Sequence, residues 1–232
     1  MLSNRTIRFA FFAVVIFLAP PAAIASSFDF SKGLMDYVAR RFGWEAPSRL
    51  QTLQAAVRQF KVAAGPDFPQ TLARSPDGRA ELPILRKVNN FINTVPYISD
   101  IEHWKVDNYW ATPVEFVASS GGNCKDYAIA KYMTLKELGV PVERLRITYV
   151  SALSVHEAHM VLAYYPTPDA DPWILDNMIA EIKHAAKRTD LAPVYSFNDD
   201  DLWNGTERKG GGAANVRSWR AVLEKMARER AM

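Results

Sequence analysis

The chain has 232 residues, of which 49% are hydrophobic and 12% aromatic, with a formal charge of +3 and a single cysteine. That length and apolar content suit one full-sized domain with its own core and exclude a disordered segment. That charge, +1 without Arg5 and Arg8, does not point to nucleic acid as a partner, and one thiol excludes an internal disulfide.

At the N-terminus, Arg5 and Arg8 precede an apolar run from Phe9 to Leu18, and Ala23-Ile24-Ala25 has the small-residue pattern of a cleavage site. The expectation is a signal peptide over 1–25, a mature chain from Ser26, and export by a bacterium. An uncleaved anchor is the weaker alternative, because the run stops at Pro20-Pro21, well short of the roughly 20 apolar residues that span a bilayer.

From Ser31 to Thr94 the pattern is helical. Leu50, Leu53, Val57 and Phe60 recur at three and four residues, as do Leu85, Val88 and Ile92, so two apolar stripes face a common core; Ser48 is a candidate cap for the first. Residues 63–79 hold Gly65-Pro66, Pro69, Ser75-Pro76 and Asp77-Gly78, the signals of a connecting loop. Residues 95–116 are dense in rings (Tyr97, Trp104, Tyr109, Trp110, Phe116), which either wall a cleft or pack the helices together.

Gly121-Gly122-Asn123-Cys124 then breaks the chain, and Tyr127 to Leu138 reads as helix, which puts Cys124 in its first turn. Unpaired N–H groups and the positive end of the helix dipole favour a thiolate there and could receive a developing oxyanion. The competing reading of a lone thiol is a small buried hydrophobe. Ala128, Lys131 and Leu135 share the direction of Cys124 on the helical projection, so the thiol faces inward.

After Gly139-Val140-Pro141 the period changes to two. Leu145–Val150, Ala158–Tyr165 and Trp173–Met178 are expected strands, the last two paired antiparallel across a proline-rich turn. His159 shares a face with Val161 and Ala163, and Asp176 with Ile174; if those faces coincide, imidazole and carboxylate meet on adjacent strands. Cys124, His159 and Asp176 then supply a nucleophile, a base and an orienter. Taken singly, each has a plainer role: packing for the histidine, a strand-end turn for Asp176-Asn177. His156 competes as base from the turn before the strand.

Lys183, His184, Lys187 and Arg188 read as a solvated basic strip, and Asp199-Asp200-Asp201 as an acidic turn. Beyond Gly210-Gly211-Gly212, Val216 to Arg230 forms an amphipathic helix through Trp219, Val222, Leu223 and Met226. The chain thus divides into a leader (1–25), a catalytic domain (26–205), and a glycine linker with a C-terminal helix (206–232).

The runs Asp107 to Phe116, Gly121 to Tyr132, His159-Met160-Val161-Leu162 and Leu175-Asp176-Asn177 together resemble the bacterial transglutaminase-like cysteine proteases, the LapG-like family, over roughly Leu85 to Trp203. The resemblance implies an α+β, papain-like or transglutaminase-like fold with a helical N-terminal part packed on an antiparallel sheet, and a triad falling on Cys124, His159 and Asp176. It also implies a periplasmic endopeptidase that cuts the N-terminal region of large surface adhesins, restrained by an inner-membrane receptor for cyclic di-GMP. Typical members carry acidic residues of a calcium site on both sides of the cysteine. Here those positions are Asn123 and Lys125, so the expectation is that no cofactor is required and that calcium dependence is weakened or lost. Two other functions use the same fold: amine transfer by a transglutaminase, and an inert binding module.

Overall fold

The computed structural model describes residues 26–232 apart from 69, 71, 73, 74 and 76, and of residue 213 only the backbone. The expected leader lies outside the described residues. Helix α1 (Lys32–Phe42) starts where the Ser31 hydroxyl accepts from Leu34 N at 3.0 Å and stops at Gly43, whose φ of 94° suits glycine alone. Helix α2 (Ala46–Ala64) buries Leu50, Leu53, Val57 and Phe60. Ser48 does not cap it: Pro47 is already in the first turn, where its missing N–H costs nothing, and the Ser48 hydroxyl donates back to Glu45 O at 2.8 Å. Helix α3 (Leu82–Ile92) buries Leu85, Val88 and Ile92.

The ring-rich stretch contains two short helices that composition did not announce, α4 (Asp100–Trp104) and α5 (Pro113–Ala118). A reciprocal capping box between Thr112 and Glu115 opens α5. The rings divide their roles: Phe116 is in the core, Trp104 stacks on Tyr109 with centroids 4.4 Å apart, and Tyr97 and Trp110 line recesses.

Helix α6 (Cys124–Glu137) is buried from Lys125 to Leu135 on every side. Helices α3 and α5 cover one side and the sheet the other, which is why no clean amphipathic stripe marks it.

Among the described residues the sheet has seven strands in the order β4-β3-β2-β1-β5-β6-β7, antiparallel at every junction. They are β1 (Leu145–Ala152), β2 (Glu157–Tyr164), β3 (Trp173–Leu175), β4 (Lys183–His184), β5 (Leu191–Phe197), β6 (Leu202–Asn204) and β7 (Glu207–Arg208). Leu145, Ile147, Met160, Leu162 and Leu175 join the helices in the main core, while Val150, Val161, Ala163 and Ile174 form a smaller cluster on the opposite face.

After a short turn, α7 (Gly212–Asn215), helix α8 (Arg217–Arg230) returns to the domain. Trp219 and Val222 are fully buried, with the Trp219 ring edge-on to Tyr132. Burying a side chain such as Val222 is worth about 1.5–3 kcal/mol. A polar clamp adds to this: Thr112 Oγ1 donates to Glu229 Oε1, and Lys225 Nζ to Glu115 Oε2 and Trp110 O, each at 2.6 Å. The glycine run serves close approach, since a Cβ on Gly212 would lie 2.2 Å from Asn198 O.

Candidate active site

Three residues set the start of α6. A Cβ at Gly122 would meet Phe116 Cδ2 at 2.6 Å and Asp126 Oδ2 at 2.7 Å, so only glycine passes there. Gly122 O accepts from Ile98 N at 2.9 Å, tying the turn to the segment before α4. Asp126 then closes the first turn: its oxygens accept from Asn123 N (3.0 Å) and, across the fold, from Ala111 N (2.9 Å). Burial pushes its carboxyl up to about 6 against the pull of Lys125 and those two N–H donors. Cys124, half-buried, occupies the first helical position, where the helix's first N–H groups have no acceptor within the helix.

The imidazole comes from β2. Leu162 pairs with Leu175 and Ala163 with Ile174; continuing that register past β3 sets Asp176 opposite Val161, one diagonal step from His159. The side chains close the step, with His159 Nε2 2.7 Å from Asp176 Oδ1. Cys124 and His159 line the same two recesses, and Nε2 is committed to the carboxylate. Burial lowers the proton affinity of the ring, but the hydrogen bond to Asp176 and the charges of Asp176 and Cys124 outweigh it and raise the pKa from 6.5 to about 9. Burial likewise works to raise the pKa of Asp176, yet His159, Met178 N and Arg188 bring it down to about 2. The arrangement favours an imidazolium–carboxylate pair beside sulfur. His156, the competing base, is exposed in the β1–β2 turn with φ of 56°.

The reading of a solvated basic strip fails at Arg188. It is 3% exposed; its Nη2 donates to Asp176 Oδ2 at 2.7 Å, while Nε and Nη2 hold Asp190 at 2.9 and 2.8 Å. The carboxylate facing His159 is thus held on both oxygens, with Met178 N adding a bond of 3.0 Å to Oδ1. Lys131, which spoils the apolar stripe of α6, is also buried; desolvation lowers its pKa to about 7 although the charge of Asp176 pulls it up. Neither residue carries a local sequence signal, because each is defined by the carboxylate that folding brings to it.

Cys124 and His159 lie between two recesses. One is a cleft of about 1010 Å³ walled by Trp110, Tyr149, Tyr195 and Trp203; the other, of about 290 Å³, lies beside Tyr97, Val155 and Met178. A groove open on both sides of the Cys124 thiol suits an extended chain running across it.

Residues 69–204 match the profile of a family described as bacterial transglutaminase-like cysteine proteinase BTLCP. The chain belongs to that family. It is similar over most of its length to LapG of Legionella pneumophila: the EGTA-treated structure has 34% identity and a TM-score of 0.68, covering 88% of this chain and 98% of that one. The calcium-bound structure of LapG gives 34% identity and a TM-score of 0.65, over 85% and 99% of the two chains. Among curated proteins none matches. As a bacterial transglutaminase-like cysteine proteinase of α+β fold, the protein is a cysteine peptidase with a protein substrate.

A calcium-bound relative makes the ion relevant to this family member, and the residues here can be tested for it. Calcium takes six to eight oxygens, several from carboxylates. Around Cys124, both Asp126 oxygens are committed to backbone N–H groups, and the Asp100 and Asn123 side chains receive the Lys125 ammonium, each at 2.6 Å. Among the described residues no group of three or more His, Cys, Asp or Glu could hold a metal. This donor set fits an ammonium rather than calcium.

Proposed function

We propose that this peptidase is an exported, periplasmic endopeptidase in which Cys124 is the nucleophile, His159 the general base and acid, and Asp176 the orienter. The observation that carries the reading is one imidazole bonded through one nitrogen to a buried carboxylate and lining the same open groove as the only thiol of the chain. His159 takes the thiol proton, and the thiolate attacks the scissile carbonyl carbon. The oxygen gathers negative charge beside the first turn of α6, whose N–H groups and dipole stabilise it. The intermediate collapses as the C–N bond breaks, and the imidazolium gives its proton to the leaving amine. Water, deprotonated by the same ring, then hydrolyses the acyl-thioester and returns the thiol.

In this proposal residues 1–25 are the cleaved signal peptide, 26–205 the catalytic domain, and 206–232 the linker and helix that buttress it. The substrate is the N-terminal region of a large surface adhesin, whose release disperses biofilm, and an inner-membrane cyclic di-GMP receptor restrains the enzyme. Family membership supports this reading, and the groove suits an extended polypeptide. We further propose that the enzyme works without calcium. The mature protein, incubated with N-terminal fragments of candidate surface proteins in calcium or in chelator, should cleave one of them equally in both. Its thiol should react with iodoacetamide, and reaction should vanish in Cys124→Ser and slow in His159→Ala. A His159→Ala variant alkylated at the wild-type rate would refute the assignment of the base.

A further inference from the structure

Beside the nucleophile lies a second charge withdrawn from water. Lys125, the residue after Cys124, is 6% exposed, and its Nζ donates to Asp100 Oδ2 and Asn123 Oδ1, both at 2.6 Å. Asp100 is equally buried; its Oδ2 also accepts from Tyr109 N at 3.1 Å, and its Oδ1 has no hydrogen-bond partner. Between Asp100 and Tyr109 the chain passes through two left-handed non-glycine residues, Lys105 (φ 60°) and Asn108 (φ 54°), and then reaches Trp110 on the wall of the cleft. One ammonium therefore joins the rim of the substrate groove, the residue that caps α6, and the turn that presents the thiol. A buried carboxylate left without its cation is strongly unfavourable, so this joint is not interchangeable with a neutral contact.

We propose that the Lys125 ammonium is a tethered replacement for a bound calcium ion: a positioning residue that gathers the oxygens of Asp100 and Asn123 and fixes the 100–110 segment against the catalytic turn. The inference deepens the metal-free reading above and rests on it. A single positive charge with three donors matches one carboxylate and one amide oxygen. A divalent cation needs more carboxylates than Asp100 alone. Metal dependence is then exchangeable: replacing Asn123 and Lys125 by acids leaves three carboxylates and no cation, a cluster that demands a divalent ion.

The test uses the mature protein with calcium chloride as probe. Wild type gives no binding heat by calorimetry and the same melting temperature in calcium and in EGTA. The Asn123→Asp, Lys125→Glu double variant binds calcium, and its melting temperature and Cys124 alkylation rate fall in EGTA and recover with calcium. Lys125→Met loses about 10 °C of melting temperature and about tenfold in alkylation rate, and calcium restores neither. Should the double variant fail to fold, Lys125→Met carries the test. Calcium binding by wild type would sink the metal-free reading itself. A wild type indifferent to chelator, with Lys125→Met unaltered in both melting and alkylation, would sink only the role given to Lys125. Because neither readout needs a substrate, both stand apart from the peptidase assignment.

Discussion

Replacing Arg188 by methionine tests whether the His159–Asp176 pair depends on a support that lies outside the proposed triad. The guanidinium is bonded to Asp176 Oδ2 at 2.7 Å and forks onto Asp190, with the Arg188 and Asp176 side chains 2% and 0% exposed. Removing one member of so buried a pair typically costs about 3–5 kcal/mol. For a chain of this size that corresponds to roughly 10 °C of melting temperature. Methionine fills much of the volume, so the loss falls on charge and hydrogen bonding rather than on a cavity. Asp176 keeps its bonds to His159 and Met178 N but can turn about its side-chain axis. We expect Cys124 alkylation to slow by about 10–100-fold, the scale of a misplaced catalytic group. Arg188→Lys should recover part of the stability and little of the rate, because a point charge cannot span Asp176 and Asp190 together. Thermal melting and iodoacetamide kinetics read the two effects separately. An Arg188→Met protein that melts within 2 °C of wild type and alkylates at the same rate would refute the reasoning.

The pH dependence follows from the shifted pair. His159 is raised from 6.5 to about 9, so its contribution is complete below 6.5 and lost as pH rises through 9; Asp176 is lowered from 3.8 to about 2, so its contribution is present above 3.8 and lost as pH falls through 2. The alkylation rate should therefore hold to the alkaline side and change near pH 9, and that inflection should disappear in His159→Ala. Glu229, in the clamp of α8, is raised from 4.5 to about 7 by burial and by the charge of Glu115, against the bond from Thr112. Its stabilising contribution is present below 4.5 and lost through 7, so Glu229→Gln should raise stability by on the order of 3 kcal/mol at pH 8 and change it little at pH 5, by calorimetric melting.

Much of this site is legible in the sequence because it depends on short-range rules. Two glycines before a thiol fix a helix start, and period two along β2 sets His159 in step with Val161, while β3 stops at Leu175, short of the expected Met178, and leaves Asp176 just past its end. The stripes of α2 and α3 are equally plain, since each buries one side only. Legibility ends where structure answers to distant partners. The helices α4 and α5 are too short for a period, and the strands β4 to β7 have two, seven, three and two residues, mostly without a clean alternation. Ser48 misleads as a cap because the proline before it lets the helix begin earlier.

The failure of the sequence reading at Arg188, where it expects a solvated strip, is also the most instructive about the site. Lys, Arg and the stretches that contain them read as surface, and most are. Around α6 the rule inverts: Lys125, Lys131 and Arg188 are 6%, 1% and 3% exposed. Two of them hold buried carboxylates, Asp100 and Asp176, at 2.6 and 2.7 Å, and the third is drawn to the charge of Asp176. A carboxylate kept ionised in the interior, as an orienter of imidazolium must be, needs positive charge in its neighbourhood. Folding supplies that charge from residues far apart in the chain. Lys131 and Arg188 are therefore the cations that let Asp176 sit ionised behind His159, and loss of either should be felt at that pair.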